Sequence, residues 1–175
     1  MKTLIAMLIL SLLAGRAHAE QFSCRVVVIS DGDSFDCVTT ANTQIRVRMA
    51  EIDAPERKQP YGPQAKQALA ELIYNKLAIV QAHSIDRFGR TLGRVFIGSL
   101  DVNYSMVQQG AAWAYTEQLK DLKLRDAETF ARNLDKGLWA QPADAIVAPW
   151  KWRYAGRISG AETPQQRQQR SFKQF

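Results

Sequence analysis

The stretch "VVVISDGDSFDCV", residues 26–38, sets Asp31, Asp33 and Asp36 around one glycine inside an apolar, β-branched run. Asp-Gly between two such runs is the strongest short-range hairpin signal, so residues 22–40 are expected to form two antiparallel strands. Three like charges at one turn repel each other, and such a turn is tolerable where a cation sits beside it. It is not a helix-loop-helix calcium loop, because "DGDSFDCVTTAN" has its glycine second and lacks the closing glutamate.

Outward from the hairpin, "QIRVRMAEI" (44–52) alternates apolar and polar residues in its first half and reads as a third strand. "DAPERKQPYGP" (53–63) is a loop, interrupted by prolines and a glycine. "QAKQALAELIYN" (64–75) puts Ala65, Ala68, Leu69, Leu72 and Ile73 on one helical face. "LAIVQAHS" and "TLGRVFIG" are two more strands, joined by "IDRFGR" with Gly89 supplying the turn. "DVNYSMVQQG" (101–110) is a short helix capped by Asp101 and stopped by Gly110. "LKLRDAETFARNLDKG" (122–137) is a longer one, with Leu122, Ala127, Phe130, Ala131 and Leu134 expected to face inward. Five strands with a helix after the third and more helices behind them imply an α+β fold around a small closed sheet.

The two ends differ from this body. Residues 1–19 read as an export signal: Lys2, an apolar run from residue 4 to residue 14, and the small-x-small site Ala17-His18-Ala19. The mature chain is expected to begin at Glu20 and to be periplasmic or secreted. No cysteine follows closely enough for a lipoprotein signal, and no other segment approaches the roughly 20 apolar residues of a membrane span, so no membrane anchor is expected. Residues 20–150 suffice for one domain, expected to be monomeric. Residues 151–175 carry six basic residues against Glu162 alone and are Gln-rich near the end, which predicts a disordered basic tail of the kind that attracts polyanions. Cys24 and Cys37 flank the acidic turn. Export would let them bridge, but sequence leaves the register open, and two buried thiols are the alternative.

Asp33 and Asp53 are separated carboxylates of the kind a hard divalent cation takes, with carbonyl and water oxygens completing the site. Arg48 on the third strand and Arg90 at the second hairpin tip could clamp a phosphate. Glu56 lies where a carboxylate could take a proton from water. A cation, two arginines and a base are the parts needed to hydrolyse a phosphodiester.

In "DGDS", "RVRMAEIDAPE" and "DRFGR" the chain resembles the staphylococcal nuclease family over roughly residues 23–139. The resemblance implies an OB-type five-stranded β-barrel with three α-helices. It also implies calcium held by Asp33, Asp53 and the Ala54 carbonyl, with Glu56 as general base and Arg48 and Arg90 as catalytic arginines. The activity it implies is calcium-dependent endonucleolytic cleavage of DNA and RNA that leaves 3′-phosphate ends. The alternative is an OB-type nucleic-acid-binding domain without catalysis. Ser34 stands where the family usually has threonine and keeps the hydroxyl. Lys58 is a candidate for a phosphate-contacting lysine, and Trp113 and Tyr115 compete for the place of a tyrosine near the nucleotide.

Overall fold

The structure, a computed structural model, describes residues 20–160; the expected export signal and residues 161–175 lie outside it. In chain order the elements are β1 (Glu20–Ile29), β2 (Ser34–Thr39), β3 (Gln44–Met49), β4 (Ile52–Asp53), α1 (Gly62–Ile73), β5 (Leu77–Ile85) and β6 (Thr91–Ile97). There follow β7 (Leu100–Asp101), α2 (Val102–Gln108), β8 (Trp113–Ala114), α3 (Leu122–Asn133), a 3₁₀ turn at Gly137–Ala140, and α4 (Pro149–Gly160).

The two expected hairpins, β1–β2 and β5–β6, are joined through an antiparallel β1–β5 pairing, and β3 adds to the free side of β2. The sheet closes where β3 runs parallel to β6, with Val47 opposite Thr91 and Arg48 opposite Leu92. This is a five-stranded barrel of the OB-like α+β class, filled by Val26, Phe35, Val47, Met49, Val80 and Val95. Two short additions stand beside it: β7 extends β6, and β4 pairs with β8. A bulge in β1 between Val26 and Val28 breaks the period of two, which turns Val28 outward and Ile29 into the core.

Cys24 and Cys37 are bridged, with Cα atoms 5.5 Å apart. Cys24 is paired with Thr39 and Cys37 with Val26, so the bond runs diagonally across the hairpin. Closing a loop with a sequence separation of 13 stabilises by about 3 kcal/mol in the chain-entropy picture.

Helix α1 begins two residues earlier than expected, with Pro63 in its first turn, where a missing N–H costs nothing. In α2 the Asp101 carboxylate accepts from the Tyr104 N–H at 3.0 Å, as its cap reading requires. The inward face of α3 is corrected. Leu124, Ala127 and Ala131 are buried, whereas Leu122 and Leu134 are 62% and 55% exposed and Phe130 is also exposed. The small alanines let the helix come close to its neighbours, and that stripe wins over the bulkier one.

The tail expectation is corrected for its first part. Residues 151–160 belong to α4, a fourth helix in place of the three expected. Trp150 anchors it, packing edge-on against Trp113 at 5.6 Å and tilted against Tyr115 at 5.4 Å. Among the described residues no helix is long and apolar enough to cross a membrane.

Candidate active site

Asp33, Arg48, Asp53, Ala54, Glu56 and Arg90 line one cleft of about 760 Å³ at the open end of the barrel. Three segments deliver them: the β1–β2 turn, β3 with the loop after it, and the β5–β6 tip. The Gly32 of the hairpin signal does not adopt a left-handed φ. Its role is close approach, because a Cβ there would lie 2.6 Å from the Ala54 Cβ and 2.8 Å from that of Ala65. Gly89, in contrast, does sit at φ +75°, as its turn demands.

Arg48 lies between the two aspartates. Its Nε is 3.1 Å from Asp33 Oδ1, and its Nη2 donates to Asp53 Oδ1 at 3.0 Å. Nη1 donates to the carbonyls of Met49 and Ile52, at 2.6 and 2.9 Å. Three of its five N–H groups therefore donate to protein acceptors, and Asp33 adds an ion pair at Nε. Asp33 and Asp53 are 5% and 1% exposed. Asp33 Oδ2 accepts from the Ala54 N–H at 2.7 Å, tying the two acidic segments together, and Ser34 Oγ donates to Asp33 Oδ1 at 3.0 Å.

Arg90 is held differently. Asp86 Oδ2 takes its Nε at 2.7 Å, and Asp86 Oδ1 takes its backbone N–H at 3.0 Å. Both terminal nitrogens have no protein partner among the described residues and face the cleft beside the exposed Phe88 ring, 5.5 Å from the guanidinium carbon.

Three residues that the sequence reading gave no role of their own in the site also belong here. The buried Gln59 accepts from the Glu56 N–H at 3.1 Å and donates to the Val147 carbonyl, so it links the base-bearing loop to the entry of α4. Arg153 of α4 donates through Nη1 to Glu56 Oε1 at 2.7 Å and to Asp53 Oδ1 at 3.1 Å, and through Nη2 to Asp53 Oδ2 at 2.8 Å. Those bonds, the ones to Asp53 first, raise its pKa above the ordinary arginine value. The sequence signal for it is Trp150, an aromatic residue that gains by packing and is out of place in a solvated tail. The third is Asp31, whose Oδ1 accepts from the Asp33 N–H at 3.1 Å.

Burial, and then the neighbouring Asp33 carboxylate, push the Asp31 carboxyl up to about 6. Its folded pKa exceeds the ordinary 3.8, so its contribution is fully present below pH 4 and is lost as pH rises through 6. Asp31→Asn, which keeps the accepting oxygen, should therefore raise cation-free stability at pH 8 by on the order of 1–2 kcal/mol and leave it unchanged at pH 3.5. Urea unfolding at both pH values measures this; an equal gain at both would remove charge as the cause.

Between Trp113 and Tyr115, the structure puts Tyr115 on the cleft, its hydroxyl donating to Glu117 at 2.6 Å. Trp113 packs edge-on against Trp139 at 4.5 Å, under the Arg132 guanidinium. Lys58 is exposed, in an adjoining hollow lined by Asp31, Glu56, Arg57, Trp152 and Arg153.

Among the described residues no three acidic, histidine or cysteine side chains gather as a ready metal cage. A cation held by Asp33 and Asp53 must take its remaining ligands from backbone and water oxygens. The donor set fits a hard ion of that kind in ligand type: Asp33 and Asp53 are buried carboxylates next to the Ala54 backbone, in a cleft whose acidic side chains are matched by arginines.

The family model described as "Staphylococcal nuclease homologue" matches residues 46–141. The chain belongs to the staphylococcal nuclease family. It is 37% identical over 158 residues to an "Uncharacterized endonuclease" of Haemophilus influenzae, covering 90% of this chain and 88% of that protein. It is 40% identical over 147 residues to a "Micrococcal nuclease" of Shigella flexneri, covering 78% and 83%. A "Protein ParB" of Escherichia coli is 40% identical over 139 residues, covering 73% and 77%. The family match begins at Arg46, so Arg48 and the rest of β3 from there on, the Asp53–Glu56 segment and the Arg90 tip fall inside it, and the Asp33 turn falls outside.

Proposed function

We propose that this member of the staphylococcal nuclease family is an exported, calcium-dependent endonuclease that cleaves DNA and RNA to leave 3′-phosphate ends. The observation that carries the reading is the convergence of Asp33, Asp53, Arg48, Glu56 and Arg90 on one cleft from three segments. Asp33, Asp53 and the Ala54 carbonyl are the groups that would hold the ion. Bound there, calcium supplies a positive charge next to the phosphate.

The chain's own residues do the rest. Arg90, oriented by Asp86, offers both terminal nitrogens to phosphate oxygens with planar, charge-assisted geometry. Arg48 has one Nη2 hydrogen beyond its four protein contacts, and its charge is fixed at the cleft floor by two buried carboxylates. Both oppose the charge that grows on the phosphoryl oxygens as water attacks. Glu56, half exposed beside the acidic pair, takes the proton from that water. With recognition resting on phosphate oxygens, little base preference is expected.

Digestion of single- and double-stranded DNA and of RNA, with calcium, with magnesium and with a calcium chelator, tests this. Cleavage that needs calcium and leaves 3′-phosphate ends is expected, with chelation abolishing it. A folded protein that binds these polymers without cleaving them under any condition would replace this reading with the binding barrel.

A further inference from the structure

Arg153 occupies the acceptor oxygens that a cation at this site requires. Asp53 Oδ1 already accepts from Arg48 at 3.0 Å and from Arg153 at 3.1 Å, and Oδ2 accepts from Arg153 at 2.8 Å. The carboxylate is 1% exposed, so no part of it is left open to an incoming ion. The same Arg153 Nη1 covers Glu56 Oε1 at 2.7 Å, and an oxygen paired with a guanidinium is a poorer proton acceptor.

We propose that Arg153 is an intramolecular competitor of the divalent cation, so that cation loading and withdrawal of its guanidinium from Asp53 and Glu56 form one linked equilibrium. This rests on the cation reading given under Proposed function. The placement is supported at several points. Gln59 ties Val147 to the Glu56 backbone just before α4 starts, and Trp150 docks the helix on Trp113 and Tyr115. Arg153, three residues on, lies on the same helix face one turn later. With Arg153 in place the cation-free protein has a charge opposite Asp53 and Glu56. A divalent ion would compete with Arg153 for the same two Asp53 oxygens, whereas Arg48 is also anchored by the Met49 and Ile52 carbonyls and keeps its place.

Linkage fixes the sign of the consequences: whatever Arg153 contributes to the cation-free fold, it subtracts from cation affinity. Isothermal titration of the mature chain and of Arg153→Gln with calcium, and thermal unfolding of both in chelator and in saturating calcium, test the proposal. Arg153→Gln should bind calcium about tenfold more tightly, as expected when a competing closed state outweighs the open one by about that ratio. It should unfold at a lower temperature than the parent in chelator, and the gap should close in saturating calcium. Arg153→Lys, whose single ammonium cannot span both carboxylates in the same way, should fall between.

Equal or weaker calcium affinity in Arg153→Gln, or the same thermal loss with and without calcium, would overturn the proposal and leave Arg153 a structural ion pair. Failure of the parent itself to bind calcium or magnesium would sink the cation reading together with this one. That result is distinguishable because it shows in the unmutated protein.

Discussion

Arg48→Ala should lose about 10³-fold or more in cleavage rate and, in the absence of cation, about 3–5 kcal/mol of stability. The rate loss comes from removing a fixed positive charge from the cleft floor. The stability loss has a separate origin: with Arg48 gone, Asp33 stays buried without its cationic partner while Asp53 keeps Arg153, and the Met49 and Ile52 carbonyls lose their donor. Removing one partner of a buried ion pair costs more than the pair was worth, because the remaining charge is left desolvated. The two losses separate experimentally, since added calcium should restore much of the stability and none of the rate. Arg48→Lys should recover little, because one ammonium cannot reach four acceptors spread around a planar guanidinium. Single-turnover cleavage and chemical unfolding, each with and without calcium, measure both. Cleavage within threefold of the parent would mean that the phosphate is held elsewhere.

Arg90→Ala should lose rate on the order of 10²–10³-fold while leaving stability within about 1 kcal/mol. Arg90 belongs to the hairpin tip, its ion pair with Asp86 is partly exposed, and no core packing depends on it. Its working atoms are the two terminal nitrogens that have no protein partner among the described residues, so what disappears is held in reserve for substrate. Asp86→Asn should cost roughly tenfold, since the guanidinium survives but its orientation is no longer fixed by a charged acceptor. A parallel fall in rate and melting temperature for Arg90→Ala would indicate that the hairpin has collapsed and that the rate says nothing about phosphate contact.

Much of this was legible because it is local. The Asp-Gly hairpin, the period-two strands, the Asp101 cap and the Gly89 turn depend on residues a few places apart, and their chemistry does not wait for the rest of the fold. The acidic and arginine residues were visible as types, and the barrel then brings them to one cleft. What was hidden depends on packing across long separations. Arg153 is 97 residues from Glu56 and 100 from Asp53, and nothing in the local run "WKWRYAGR" says where its guanidinium points. The inward face of α3 was misjudged because two apolar stripes compete on that helix and only the neighbours decide between large and small residues. The disulfide needed the strand register, which a diagonal pairing set. Gly32 answers to the close approach of two loops, which the Asp-Gly signal itself does not show.

The parallel closure of β3 on β6 has a consequence for how such a protein can change over generations. Val47 pairs with Thr91, so Arg48 is inside the barrel seam and Arg90 stands one residue outside it, on the tip that spans residues 86–90. Change at Arg87 or Phe88 of that tip can reshape the cleft rim without disturbing the seam, so long as Asp86 and Arg90 stay. Drift in Asp33, Arg48 or Asp53 cannot be tested by selection for activity alone, because each change first threatens the fold. The rim is thus the part of this architecture that can change by itself, and the floor beneath it is tied to the fold.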